Sequence, residues 1–92
     1  MADHTADRRR HLSDEQILKH INDLEAEERG LRAQISAGRL TPESEQSRLA
    51  AIEVELDQYW DLLRQRRAKA SAHQNPDEAE VRSPAQVEGY QG

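Results

Sequence analysis

The sequence predicts an all-α protein: an antiparallel two-helix hairpin, coiled-coil-like, that dimerises into a four-helix bundle and carries a flexible N-terminal arm and a C-terminal tail. Three observations predict it. Apolar residues recur at steps of three, four and seven over two long stretches, which is the spacing of a helical seam and not of a strand. Each stretch opens on a helix-start signal. The link between them, around Gly38–Leu40, is short, and short links make neighbouring helices antiparallel.

Residues 1–12, MADHTADRRRHL, have no periodicity and read as a flexible arm. Ser13 then opens a helix over about 14–37. Gln16 stands three residues on, so the Ser hydroxyl and the Gln side chain can satisfy each other's backbone N–H groups in a capping box. Asp14 and Glu15 suit the positive end of the helix dipole. Ile17, Ile21, Leu24, Leu31 and Ile35 form the seam, with one slot taken by Glu28. Gly38 is a natural C-terminal stop. The second helix, over about 42–70, starts with Thr41 as cap, Pro42 in the first turn and Glu43 behind it. Its apolar residues are Leu49, Ile52, Leu56, Tyr59, Trp60 and Leu63. The hairpin as a whole spans 13–70.

The two seams share a register in which facing residues have numbers adding to about 80. Leu31 then lies near Leu49, Glu28 near Ile52, Leu24 near Leu56, Ile21 near Tyr59 and Ile17 near Leu63. Two helices alone leave such a seam half wet. Leu18, Val54 and Leu62 also fall outside it when projected along their helices. They call for a second surface, which a second hairpin or a partner protein would supply.

Residues 71–92 change character. They carry two of the three Pro, no aliphatic stripe and net negative charge. This is a tail that is disordered in isolation, or a strap that docks Val81, Val87 and Tyr90 on the hairpin.

Composition narrows the function. The chain has 92 residues, 35% of them hydrophobic and 34% charged, with no Phe and no Cys. One small domain is the limit. Thiolate metal sites and disulfides are excluded. No apolar run is long enough to span a membrane, and the polar N-terminus has no secretory segment, so a cytoplasmic protein is expected. A net charge of −5 argues against a dominantly electrostatic nucleic-acid binder. There is no phosphate-binding glycine loop, zinc spacing or hydrolase elbow. No enzyme and no cofactor are expected.

Three features are candidate sites. The stretch LDQYWDLLRQRRAK, residues 56–69, places Tyr59 and Trp60 in the seam and Arg64, Arg66, Arg67 and Lys69 in the last turns of the second helix. The antiparallel hairpin brings Arg8, Arg9 and Arg10 to the same end. These seven residues are the candidate patch for an anion or an acidic partner, against the simpler reading of a solvated helix end. Glu28 could belong to a carboxylate metal site, but no Glu-x-x-His accompanies it. It is expected to lean to the edge and pair with Arg32. His20, expected opposite Trp60 and near Asp57 or Asp61, has no positioned nucleophile beside it and reads as a bundle-edge histidine.

The stretches SDEQILKHINDLEAEERGLR, LTPESEQSRLAAIEVELDQYWDLLRQRRA and NPDEAEVRSPAQVEGYQ together resemble a family of short actinobacterial proteins known only as a domain of unknown function. The resemblance covers nearly all of 13–91 and is most specific over IEVELDQYWDLLRQRRA. The chain departs from the family pattern at Ser83, which separates Arg82 from Pro84. The resemblance implies a short helical protein of bacterial cytoplasm and assigns no activity, cofactor or catalytic residue. The expected function is therefore that of a non-enzymatic interaction or regulatory protein. It would act by self-association as a homodimer, or by binding a partner helix, through Ile17, Ile21, Leu24, Leu31, Leu49, Ile52, Leu56, Tyr59, Trp60 and Leu63. The alternative is a nucleic-acid- or transcription-associated regulator that uses the basic end.

Overall fold

The structure, a computed structural model, describes residues 8–39 and 42–89. Among them every regular element is helical and none is a strand. The two long helices are α1, Asp14–Ser36, and α2, Pro42–Ser71. A 3-10 turn, Arg8–His11, precedes α1. A second, Pro76–Glu78, and the short helix α3, Pro84–Gly89, follow α2.

Local chemistry explains the ends. Ser13 is the N-cap of α1: its hydroxyl accepts from the Gln16 N–H at 3.1 Å, and its own N–H donates to Gln16 Oε1 at 2.8 Å. After α1, the Arg39 N–H bonds to the Gln34 carbonyl and the Gly38 N–H to that of Ile35, with Gly38 at φ 74°. This is a Schellman stop on a glycine. Thr41, read as the cap of α2, lies outside the described residues. The end of α2 repeats the Schellman pattern with Gln74 to Lys69 and His73 to Ala70, but here His73 takes the left-handed position at φ 60°. A side chain there is uncommon and strained.

Four cross-ties set the register of α1 against α2. Asp14 meets Arg66, His20 meets Tyr59, Glu27 meets Arg48 and Arg32 meets Glu53. The first two pairs join the first half of α1 to the second half of α2 and the other two join the second half of α1 to the first half of α2, so the helices are antiparallel. Ile17, Ile21, Tyr59, Leu62, Leu63 and Ala79 form one buried cluster, with Leu12, Leu18, Leu24, Leu56 and Val81 packed against it. Ile52 and Val87 are also buried.

The segments outside the hairpin take part in this core. Residues 8–12, read from the sequence as the end of a flexible arm, form the first 3-10 turn and place Leu12 against the cluster. Residues 76–89 pack along α2. Asn75 caps the second turn through the Asp77 N–H, and Ser83 caps α3 by the same reciprocal bonding with Gln86 that Ser13 makes with Gln16. Residues 1–7 and Tyr90 lie outside the described residues.

Candidate interaction surface

The end of the hairpin where α1 begins and α2 finishes is knotted by one guanidinium. Arg66 is only 8% exposed. Its Nε donates to Asp14 at 2.6 Å and its Nη1 to Asp77 at 2.8 Å. Burial by itself would push this guanidinium down, but the hydrogen bonds to Asp14 and Asp77 outweigh it and hold the group above its ordinary value. Arg66 thus joins α1, α2 and the tail through one side chain.

From that knot the tail runs as an extended strap along one side of α2. Side-chain amides of α2 hold its backbone. Gln65 Nε2 donates to the Glu80 carbonyl at 2.6 Å and Gln65 Oε1 accepts from the Glu80 N–H at 3.2 Å. Two turns back, Gln58 Nε2 donates to the Arg82 carbonyl at 3.0 Å, while its Oε1 accepts from Arg9 at 2.9 Å. In an extended chain alternate residues face opposite ways, so Ala79 and Val81 turn toward the apolar cluster. Asp61 is buried beneath the strap at 1% exposure. Its carboxylate accepts from Gln65 and pairs with Arg82 at 3.2 Å, with Arg64 farther off at 3.9 Å. A buried carboxylate without such partners would be costly. Arg9 also lies over the Tyr59 ring, and His20 stacks on that ring at 5.3 Å.

The other side of α2 is not covered by the strap, although Leu56 packs against the core cluster and Glu53 reaches Arg32 of α1. At about 100° per residue, Trp60 projects about 140–160° away from Gln58 and Gln65, the strap's two clamps. Leu49, Glu53, Leu56, Trp60, Arg64 and Arg67 follow one another at steps of three or four and share this face. Leu49 and Leu56 are half-buried, and the other four are exposed. Trp60, at 38%, is the exposed large apolar residue among the described residues. Toward the loop, Arg32, Ile35, Ser36, Gln46 and Leu49 line an open cleft. Arg48 ties the helices there with a two-pronged pair to Glu27 at 2.7 and 2.8 Å. That hydrogen bonding holds the Glu27 carboxyl below its ordinary value, although Glu27 is exposed. The tie is complete above the unfolded carboxyl range and is lost as pH falls through the depressed value.

The residues singled out from the sequence therefore separate. Ile17, Ile21, Ile52, Tyr59 and Leu63 are buried within the chain itself, and Leu24, Leu31, Leu49 and Leu56 are half-buried. Trp60 is not in the seam. Neighbouring positions on a helix differ by about 100°, so once Tyr59 faces α1, Trp60 must leave it. Leu62, placed outside the seam by projection, is fully buried because the strap covers that side. The five basic residues whose side chains are described do not make one open patch. Arg66 is buried in its two ion pairs, Arg9 bonds Gln58, and Arg64 sits near Asp61. Arg67 is exposed and Lys69 half-buried. Arg8 and Arg10 have described backbone, but their side chains lie outside the described residues. Glu28 pairs with Arg32 at 3.0 Å, and Arg32 also reaches Glu53. His20 faces Tyr59 rather than Trp60. Sequence reasoning missed the clamps Gln58 and Gln65, and it named Asp61 only as a carboxylate near His20, without its burial. Their steps of three and four beside Leu62 were the available signal.

Among the described residues no group of three or more His, Asp or Glu could hold a metal ion. No helix there is long and apolar enough to cross a membrane.

Residues 13–92 match the profile of a family described as "Protein of unknown function (DUF2630)". The chain belongs to this family. The resemblance read from the sequence led to the same place. The chain is 54% identical over 80 residues to the uncharacterized protein Mb0922c of Mycobacterium bovis, covering 87% of this chain and 92% of the relative. The uncharacterized protein Rv0898c of Mycobacterium tuberculosis matches with the same identity and coverage. No solved structure matches. The family brings neither activity nor partner, so function is argued from the surface.

Proposed function

We propose that this is a non-enzymatic helical interaction protein of the bacterial cytoplasm, working through the strap-free side of α2 by self-association or by binding a partner helix. The observation that carries this reading is Trp60. An indole left 38% exposed beside half-buried Leu56, on a helix whose other sides are covered by α1 and the strap, is the pattern of a contact centre. The basic end favours a nucleic acid less, because Arg66 is consumed internally and the net charge is −5.

The test is solution mass by sedimentation from low to high micromolar, for the native chain and for Trp60→Ala. The native mass should rise from the 10.5 kDa of one chain toward twice that value. Trp60→Ala should stay at the mass of one chain while its helical circular dichroism remains native-like. Association that survives Trp60→Ala unchanged would overturn the reading.

A further inference from the structure

We propose that the occupant of the Trp60 face is a second copy of this chain, packed antiparallel about a two-fold axis at Trp60, so that Arg67 meets Glu53 of the partner subunit. This rests on the reading above that the strap-free face is the contact surface.

The face is self-complementary. In a two-fold antiparallel pairing of one helix with itself, a residue a given distance after the axis meets the residue that distance before it. Arg67 stands two turns after Trp60, and Glu53 stands two turns before it. Both are exposed. Arg67 makes no ion pair among the described residues, and Glu53 keeps 56% of its side chain exposed despite its bond to Arg32. Nearer the axis, Arg64 falls beside Leu56 and Asp57 of the partner subunit. Asp57 is exposed and makes no ion pair among the described residues. The stripe is thus acidic toward the hairpin loop, aromatic at its centre and basic toward the end of α2. The opposite choice, a parallel pairing, would set Arg67 against Arg67 of the partner subunit and Glu53 against Glu53 of the partner subunit, which is repulsive. A partner of unrelated sequence would not require this symmetry about Trp60.

The stripe from Leu49 to Arg67 is about 27 Å long at 1.5 Å per residue. The strap does not obstruct it, since its clamps Gln58 and Gln65 project to the other side of α2. Two hairpins joined in this way place four long helices together.

The experiment is a charge swap read by sedimentation equilibrium, with thermal melts confirming that each variant folds. Arg67→Glu alone and Glu53→Arg alone should each raise the dimer dissociation constant on the order of tenfold, because two symmetric pairs turn repulsive. The chain carrying both substitutions should recover most of the native affinity. An equimolar mixture of the two single variants should also associate better than either alone. Single variants that dimerise as the native chain does would overturn the antiparallel pairing. If Trp60→Ala abolishes the dimer while the swaps change nothing, this inference fails and the contact surface stands. If Trp60→Ala also leaves association untouched, the surface itself is misassigned. A native chain that remains a monomer at every concentration would overturn the second copy as occupant.

Discussion

Leu62 and Trp60 stand two residues apart on the same helix and meet opposite fates. Leu62 is fully buried, and Trp60 is 38% exposed. The larger and more hydrophobic surface is the one left to water. The difference lies in what covers each side of α2. The strap brings Ala79 and Val81 onto the Leu62 side and fastens its backbone to Gln58 and Gln65. Nothing in the described chain does the same for the Trp60 side. A small domain has little apolar surface to bury, and this one devotes its tail to closing one flank rather than both. The closed flank serves folding, and the open one is the surface proposed for contact.

Four substitutions test that contrast. The largest effect is expected at Leu62→Ala, which opens a cavity beneath the strap and should cost about 2–5 kcal/mol. Urea unfolding followed by circular dichroism reads it directly. Trp60→Ala removes a larger side chain but should cost less than Leu62→Ala in the same experiment. The reverse order would erase the distinction between the two flanks. Next comes Arg66→Ala, which unties α1, α2 and the strap at once. Breaking a fully buried pair costs about 3–5 kcal/mol, but Asp14 and Asp77 keep 47% and 62% of their side chains exposed and are rehydrated when the guanidinium goes. About 2–3 kcal/mol is therefore expected, together with faster amide exchange at Glu80 on the strap. The smallest effect has the opposite sign. His73→Gly relieves the left-handed position that closes α2 and should stabilise the chain by about 0.5–1 kcal/mol, seen as a higher melting temperature with association unchanged.

The two long helices were legible in the sequence because each signal is local. Ser13 with Gln16 caps, Gly38 stops, and the seam repeats at helical spacing. The buried half of the seam followed from the same spacing, as at Ile17, Ile21, Ile52 and Leu63. What the sequence did not disclose is long-range. Trp60 and Tyr59 are both aromatic and adjacent, and only packing against α1 decides which one turns inward. Gln58 and Gln65 look like ordinary solvated helix positions until a backbone is laid across them. Arg66 was indistinguishable from Arg64 and Arg67 as one of a basic run, because its burial depends on Asp77, eleven residues farther along the chain. The start of α3 was legible in principle. Ser83, Pro84 and Gln86 repeat the capping logic of Ser13 and Gln16, but a single turn carries too little periodicity to draw notice.

The Trp60 flank is open in one chain and, under the proposed self-association, closes when chains meet. The chain holds a single tryptophan, so its own fluorescence reports on that flank without a label. The most direct measurement is acrylamide quenching of the indole from low to high micromolar protein. Ready quenching is expected in dilute solution and protection on concentration, with the midpoint following the rise in mass. An indole quenched equally at every concentration would contradict the proposed closure.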